Sequence, residues 1–200
     1  DHLHAKHVVV GDNFKFGFKA AGDTNYLAEF GKENGFTTAV FERFSDGKEP
    51  WSSTRARNYI ESGEVDKAAL VLGRFPRLEG IVVHGDHRGR ELGYPTANLE
   101  TPHQMSVPED GIYAGYLVRS KTNEVLPAAI SIGTNPTFEG ERGRQVEAYA
   151  LDQEGLELYD KNASIEFGWF LRPTLKFDGL EPLLVQMKID CDQARKLTEA

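Results

Sequence analysis

The sequence predicts an α+β protein in which a partial α/β segment precedes an antiparallel β-sheet that closes or stacks. The first 44 residues alternate between strand, helix and strand patterns, as in an α/β sheet. After Gly73, several short strand-like runs follow one another without helices between them, and such a sheet must close or stack to hide its edges. One amphipathic helix ends the chain. We therefore predict two domains, residues 1–72 and residues 73–200.

The elements of the first part follow from apolar patterns and capping signals. We predict a short buried strand at 6–10, a helix at 23–34, a strand at 36–44 and two short helices within 52–73. Leu27 and Phe30 should face inward from the first helix. Ser52 is a favourable N-cap, and Gly73 stands where a helix stop is expected.

The second part reads as a series of strands and a final helix. The strand-like runs are 75–84, 111–119, 124–132, 145–151 and 164–172, each bounded by glycine, proline or charged residues. The helix is predicted from about 178 to 198. Its apolar stripe should lie on the sheet and comprises Leu180, Leu183, Leu184, Met187, Cys191 and Ala194.

The charge distribution excludes some classes of partner. The net charge is −8, and residues after Leu78 carry 12 basic against 20 acidic side chains. A nonspecific nucleic-acid binder needs a basic surface, so we expect no nucleic-acid partner, and any anionic ligand must be held by a specific loop. No apolar run approaches the roughly 18 residues of a membrane span, so we expect no membrane association.

The single cysteine indicates the cellular compartment, and the first residues indicate the extent of the parent protein. Cys191 is the one cysteine, which excludes an internal disulfide and favours a reducing cytoplasm. The chain starts without Met, almost directly on a strand, which predicts a longer parent protein.

The segment GDHRGRELGYPTANLE, residues 85–100, contains the ingredients of a phosphate site. Glycines allow backbone N–H groups to point at an anion, and arginines supply fixed positive charge. The glycines are Gly85, Gly89 and Gly93, and the arginines include Arg88. The segment is not a Walker loop, because no Gly-Lys-Ser/Thr opens a helix here. A glycine-rich turn followed by an ordinary polar strand is the alternative.

Thr96 and Asn98 are candidate ligands for a metal ion. Pro95 disfavours a helix at Tyr94, so Thr96 and Asn98 fall on one face of an extended segment. A hydroxyl and an amide oxygen are hard, neutral ligands, which suit Mg²⁺ that a nucleotide already carries.

Glu147 is a candidate general base. In the run 145–151, Glu147 shares a face with Tyr149 and Leu151, while the residues between them face the other way. A carboxylate beside an aromatic ring and an aliphatic side chain could act as a general base in a site that is partly shielded from water. An ordinary surface glutamate beside an aromatic residue is the alternative.

Several of these motifs, in this order, closely resemble riboflavin kinase. They are GIVVHGDHRGRELGYPTANLE, GIYAG, SIGTNPTF, VEAYALD and LRPTLKF, and the resemblance covers about residues 73–200. The similarity is greatest to the kinase module of the bifunctional prokaryotic enzyme that makes FMN and FAD. It implies a six-stranded Greek-key β-barrel with a C-terminal helix.

The resemblance also implies roles for individual residues. The loop with Gly85, Arg88, Gly89 and Gly93 would cover the ATP phosphates. Thr96 and Asn98 would contact Mg²⁺ and the terminal phosphates, with Asn98 also near the flavin. Glu147 would accept the proton of the ribityl 5′-hydroxyl. Arg172 would be a flavin-side contact.

The first part resembles the adenylyltransferase module of the same enzyme. GDNFKFGFKAAG is similar to its flavin-contacting loop, and WSSTRAR to its Ser-Ser-Thr-x-x-Arg element. The His-x-Gly-His signature of that module does not occur in this sequence, so a working adenylyltransferase site is not expected. Its relics would be Asn13, Phe16, Ser53, Thr54 and Arg57.

The resemblance predicts ATP- and Mg²⁺-dependent phosphorylation of riboflavin to FMN, with ADP as the second product. The parent protein would also adenylylate FMN to FAD. A non-catalytic remnant that binds flavin or nucleotide is the alternative. The oligomeric state is not predicted.

Overall fold

The computed structural model describes residues 4–85, 92–102, 105–133, 145–153 and 155–198. The chain forms two compact units, Asp1–Trp51 and Ser52–Ala200. Among the described helices, none combines the length and the apolar character that crossing a bilayer requires.

The first unit is a small parallel α/β element. Strand β1 (His7–Gly11) pairs in parallel with β2 (Thr37–Phe41), and helix α1 (Thr24–Asn34) connects them. Asp23 caps α1 by accepting a hydrogen bond of 2.9 Å from the Tyr26 N–H. This bond lowers the pKa of the Asp23 carboxyl from its ordinary value.

Two details of this unit differ from the prediction. Strand β1 was expected to be buried, but Val9 is 66% exposed. Phe30 was expected to face inward, yet it is 45% exposed. The physical reason is the same for both: the described sheet of this unit has two strands. Such a small sheet has too little surface to cover both of its own faces and a whole helix.

Helices α2 (Ser53–Glu61) and α3 (Val65–Leu72) open the second unit. Ser52 caps α2, since its hydroxyl accepts the Arg55 N–H at 3.1 Å, and α3 ends at Gly73 as predicted. Val65 is fully buried within the core of the β-sheet that follows. Packing therefore groups both helices with that sheet. The predicted domain boundary between residues 72 and 73 stays a prediction.

The second unit is built around a closed antiparallel barrel. Its described strands are β3 (Arg77–Val83), β4 (Ala97–Glu100), β5 (Gly111–Arg119), β6 (Glu124–Gly133), β7 (Gln145–Ala150) and β8 (Asn162–Arg172). Their order around the barrel is β3-β4-β7-β6-β5-β8. Although β4 and β5 are consecutive in the chain, they are therefore not neighbours in the barrel, because β7 and β6 lie between them. The predicted α+β class and six-stranded barrel are confirmed.

The last helix, α4 (Leu180–Thr198), covers part of the outer surface of the barrel. Cys191 and Ala194 pack into an outer apolar cluster with Ala114 and Leu151. Leu180 does not join this contact as predicted, because it is the first residue of α4 and is 52% exposed.

Candidate active site

The candidate site is built on the pairing of β4 with β7. In the antiparallel register, Asn98 lies directly opposite Glu147. Residues directly opposite one another present their side chains on the same face of a sheet. Their neighbours Ala97, Leu99 and Ala148 are buried in the barrel core. Asn98 and Glu147 therefore lie on the outer face.

Thr96 completes a cluster of three oxygen-bearing side chains. Its hydroxyl donates a hydrogen bond of 3.2 Å to Glu147 Oε2, across 51 positions of sequence. All three side chains are half-buried. We call Thr96, Asn98 and Glu147 the polar cluster. The sequence analysis chose these three residues, and the structure brings them together.

Gly85, two residues after the end of β3, lies against Asn98 of the polar cluster. A Cβ atom at position 85 would overlap the side-chain amide of Asn98. Glycine is therefore needed at this position by close approach. Gly93 has a left-handed backbone with φ of 84°. Arg88 and Gly89 lie outside the described residues, so their predicted contact with phosphates stays a prediction.

A cleft of about 330 Å³ opens beside the polar cluster. We call it the outer cleft. Thr96 and Glu147 contribute to its lining. Most of the remaining lining is apolar and includes Leu175, Phe177, Leu183 and Met187. A mostly apolar hollow with a few polar groups is typical of a site for a small organic molecule.

Aromatic rings line the outer cleft near the polar cluster. Tyr94 and Tyr149 meet edge to face, with ring centroids 5.2 Å apart, and both line the cleft. Burial raises the pKa of the Tyr149 hydroxyl. Burial likewise raises the pKa of the Cys191 thiol, another lining group, to about 11. Both groups are therefore neutral near pH 7.

Arg172 also lines the outer cleft, where it forms an ion pair with Asp190. Its Nε donates to Asp190 Oδ1 at 2.9 Å, and its Nη2 to Oδ2 at 2.6 Å. The sequence analysis named Arg172 but not Asp190. A sequence signal for Asp190 exists, because Leu183, Met187, Asp190 and Ala194 follow the spacing of one helix face. A carboxylate on an otherwise apolar stripe requires a buried partner.

These features are matched by the comparison with known protein families. The riboflavin kinase family model matches residues 72–198. The chain belongs to the riboflavin kinase family. A second model, FAD synthetase, matches residues 1–55. The predicted family is thus confirmed for the larger part of the chain.

The curated relatives that this riboflavin kinase family chain matches are named for two activities. One from Listeria monocytogenes is 35% identical over 96% of this chain and 60% of its own length. One from Escherichia coli K12 is 35% identical over 98% of this chain and 61% of its own length. Both are named bifunctional riboflavin kinase/FMN adenylyltransferase. The chain spans about three fifths of these relatives.

A solved structure from Streptococcus pneumoniae has a similar fold. It superposes with a TM-score of 0.85 at 30% identity, over 96% of this chain and 61% of that one. That protein is described as a macrolide-efflux protein.

The residues of this riboflavin kinase family chain fit Mg²⁺ that a nucleotide carries. Thr96 and Asn98 supply a hydroxyl and an amide oxygen, which are hard, neutral ligands that suit Mg²⁺. Within the described ranges, no group of three or more His, Cys, Asp or Glu side chains could hold a metal ion. The donor set therefore suits an ion whose other ligands are phosphates and water.

The predicted adenylyltransferase relics fall in both compact units. Asn13 and Phe16 belong to the first unit, where the Phe16 ring stacks on Phe14 with centroids 5.5 Å apart. Ser53, Thr54 and Arg57 lie on α2 in the second unit, and Arg57 Nη2 donates to Thr54 Oγ1 at 3.5 Å. Their role as relics of a second site stays a prediction.

Proposed function

We propose that residues 73–200 phosphorylate the ribityl 5′-hydroxyl of riboflavin with Mg·ATP, giving FMN and ADP. The observation that carries this proposal is the hydrogen bond between Thr96 and Glu147. It joins a predicted phosphate-side residue to the predicted base at the edge of an apolar cleft. The proposal includes the requirement for Mg²⁺ and a cytoplasmic location of the protein.

The chemistry divides among the residues of the polar cluster. Phosphoryl transfer depends on positioning and on neutralising charge on the moving group. Glu147 accepts the proton of the 5′-hydroxyl, the hydroxyl oxygen forms the new bond to the γ-phosphorus, and ADP leaves with the electrons of the broken bond. The Thr96 hydroxyl orients the carboxylate for this transfer, and Asn98 contacts the terminal phosphates. Bound Mg²⁺ would neutralise charge on the phosphate oxygens.

The outer cleft supports riboflavin as the acceptor. Its apolar and aromatic side chains suit a flat ring system, while Glu147 stands where a hydroxyl-bearing tail could reach it. FAD formation is proposed only for the parent protein, through an adenylyltransferase site that also needs residues beyond this chain. For this chain alone we expect no FAD.

A chromatographic assay tests the proposal. The purified chain is incubated with riboflavin and Mg·ATP, and the flavins are separated. We expect FMN in the presence of ATP and none when ATP is withheld or Mg²⁺ is chelated. Flavin binding without FMN formation would replace the proposal by the non-catalytic alternative. Formation of FAD would show that the first unit keeps a working site.

Replacing Thr96 with valine should impair nucleotide binding and rate together. Valine keeps the shape of threonine but cannot donate to Glu147 or contact Mg²⁺. A hydrogen bond to a charged group contributes about 1.5–3 kcal/mol, so we expect losses on the order of 10–10²-fold in kcat/KM for Mg·ATP. Steady-state kinetics with varied ATP provide the measurement. Thr96→Ser keeps the hydroxyl and is the matched control. If Thr96→Val behaved like Thr96→Ser, the hydroxyl would have no role.

A further inference from the structure

The ion pair between Arg172 and Asp190 is unusually enclosed. The Asp190 side chain is 6% exposed and that of Arg172 is 16% exposed. Asp190 accepts two hydrogen bonds from Arg172 and a third, of 2.9 Å, from Gln186 Nε2. Arg172 Nη1 also donates to the Pro173 carbonyl at 2.9 Å. Both charges are thus held in one fixed arrangement.

Stability alone is a weak reason for such a pair. Removing two charges from water costs as much as their attraction returns, so apolar side chains of similar volume often serve a fold equally well. Apolar side chains of α4 lie nearby: Met187 lines the outer cleft, and Cys191 and Ala194 pack against the barrel. A buried ion pair in this position is better explained if it holds neighbouring parts of the chain in a fixed arrangement.

The position of the pair in the chain identifies that constraint. Arg172 is the last residue of β8, and Asp190 lies in the middle of α4. Arg172 and Asp190 flank the segment 173–189, so their ion pair joins the two ends of that segment. Leu175, Phe177 and Met187, within this segment, line the outer cleft. The Arg172 guanidinium also lies 6.0 Å from the centroid of the Phe177 ring. The pair therefore fastens one wall of the cleft.

We propose that Asp190 is a positioning residue that, by holding Arg172, fixes the cleft wall formed by residues 173–189 and sets the affinity for the flavin ring. This inference rests on the proposed function. Asp190 acts on binding and not on phosphoryl transfer, because the polar cluster lies on β4 and β7. The loss of Asp190 should therefore raise KM for riboflavin and leave kcat nearly unchanged.

The test is Asp190→Asn, with Asp192→Asn as its matched control. Asp192 lies on the same helix and also forms ion pairs, with Lys188 and Arg195, but it does not line the outer cleft. We expect Asp190→Asn to raise the riboflavin KM by about 10-fold or more, with kcat within about 3-fold of the parent value, since one lost hydrogen bond to a charged group is worth that much. Asp192→Asn should leave both constants unchanged.

A direct binding measurement separates this inference from the proposed function. Riboflavin is titrated with each protein, and the quenching of flavin fluorescence gives Kd without turnover. The inference predicts a Kd increase for Asp190→Asn even if the unmodified chain makes no FMN. An unchanged Kd and KM, or a loss confined to kcat, would overturn it. Lack of riboflavin binding by the unmodified chain would overturn both proposals.

A second variant covers the case in which Asp190→Asn does not fold. The double variant Arg172→Met, Asp190→Leu replaces the ion pair by apolar side chains of similar size, which a buried site commonly tolerates. We expect it to fold, as judged by circular dichroism, and to bind riboflavin at least 10-fold more weakly. Binding as tight as that of the parent chain would show that the pair is not needed for affinity.

Discussion

Replacing Glu147 with glutamine is expected to lower kcat for FMN formation by at least about 10²-fold. A positioned general base contributes on the order of 10²–10⁴-fold to a rate, and glutamine cannot accept the proton. The amide oxygen of glutamine can still accept the hydrogen bond that Thr96 donates to Glu147. The KM for ATP should therefore change little. Single-turnover kinetics at saturating riboflavin and Mg·ATP measure the effect.

The control for this prediction is Glu124→Gln. Glu124 is a glutamate at the start of β6 that pairs with Arg119 and is absent from the lining of the outer cleft. This variant should keep the parent kcat. If Glu147→Gln turned over riboflavin at the parent rate, the proton would have another acceptor and the assignment of Glu147 would be wrong.

Replacing Gly115 with alanine should cause a large loss of stability. A Cβ atom at position 115 of β5 would overlap the backbone carbonyl of Glu166 on the neighbouring β8 and approach Ile130 Cδ1 to 2.9 Å. The register between β5 and β8 shifts at this point, between Ala114 and Gly115. Backbone atoms inside a closed barrel have little room to move, so we expect a loss of about 3 kcal/mol in the free energy of unfolding.

Thermal unfolding followed by circular dichroism measures this loss. A destabilisation of about 3 kcal/mol lowers Tm by about 6–12 °C in a unit of this size. Gly133→Ala, at the end of β6, is the matched control, because among the described residues its Cβ atom would meet only Thr174, at an ordinary 4.0 Å. Equal Tm values for the two variants would mean that β5 and β8 separate more easily than their contacts indicate.

The sequence predicted the strands that have strong patterns of their own. The runs around β5, β6 and β8 are long, rich in β-branched or aromatic residues and bounded by turns, so local preferences suffice to locate them. Strand β4 has four residues, Ala97–Glu100, and follows Pro95. It was predicted only as an extended segment, because its strand character depends on partners far away in the chain. The six-strand count came from the family resemblance.

The candidate site shows a similar division. Residue types and side-chain alternation singled out Thr96, Asn98 and Glu147, but their proximity depends on the register of β4 against β7. Alternation gives the face on which a side chain lies, whereas register is decided by tertiary packing. The Arg172–Asp190 pair joins a strand end to a helix, and a single sequence contains no direct signal for that contact.

The burial of Val65 affects how the kinase portion can be isolated from the rest of the chain. Truncation at residue 73 would follow the apparent change of pattern in the sequence, but it would remove Val65 and Ala68, both 0% exposed. The barrel would then expose an apolar surface to water and become prone to aggregation. A fragment that begins at Ser52 keeps both helices. A fragment designed to test the proposed kinase activity on its own should therefore begin at Ser52, about twenty residues before the boundary that the strand pattern suggests.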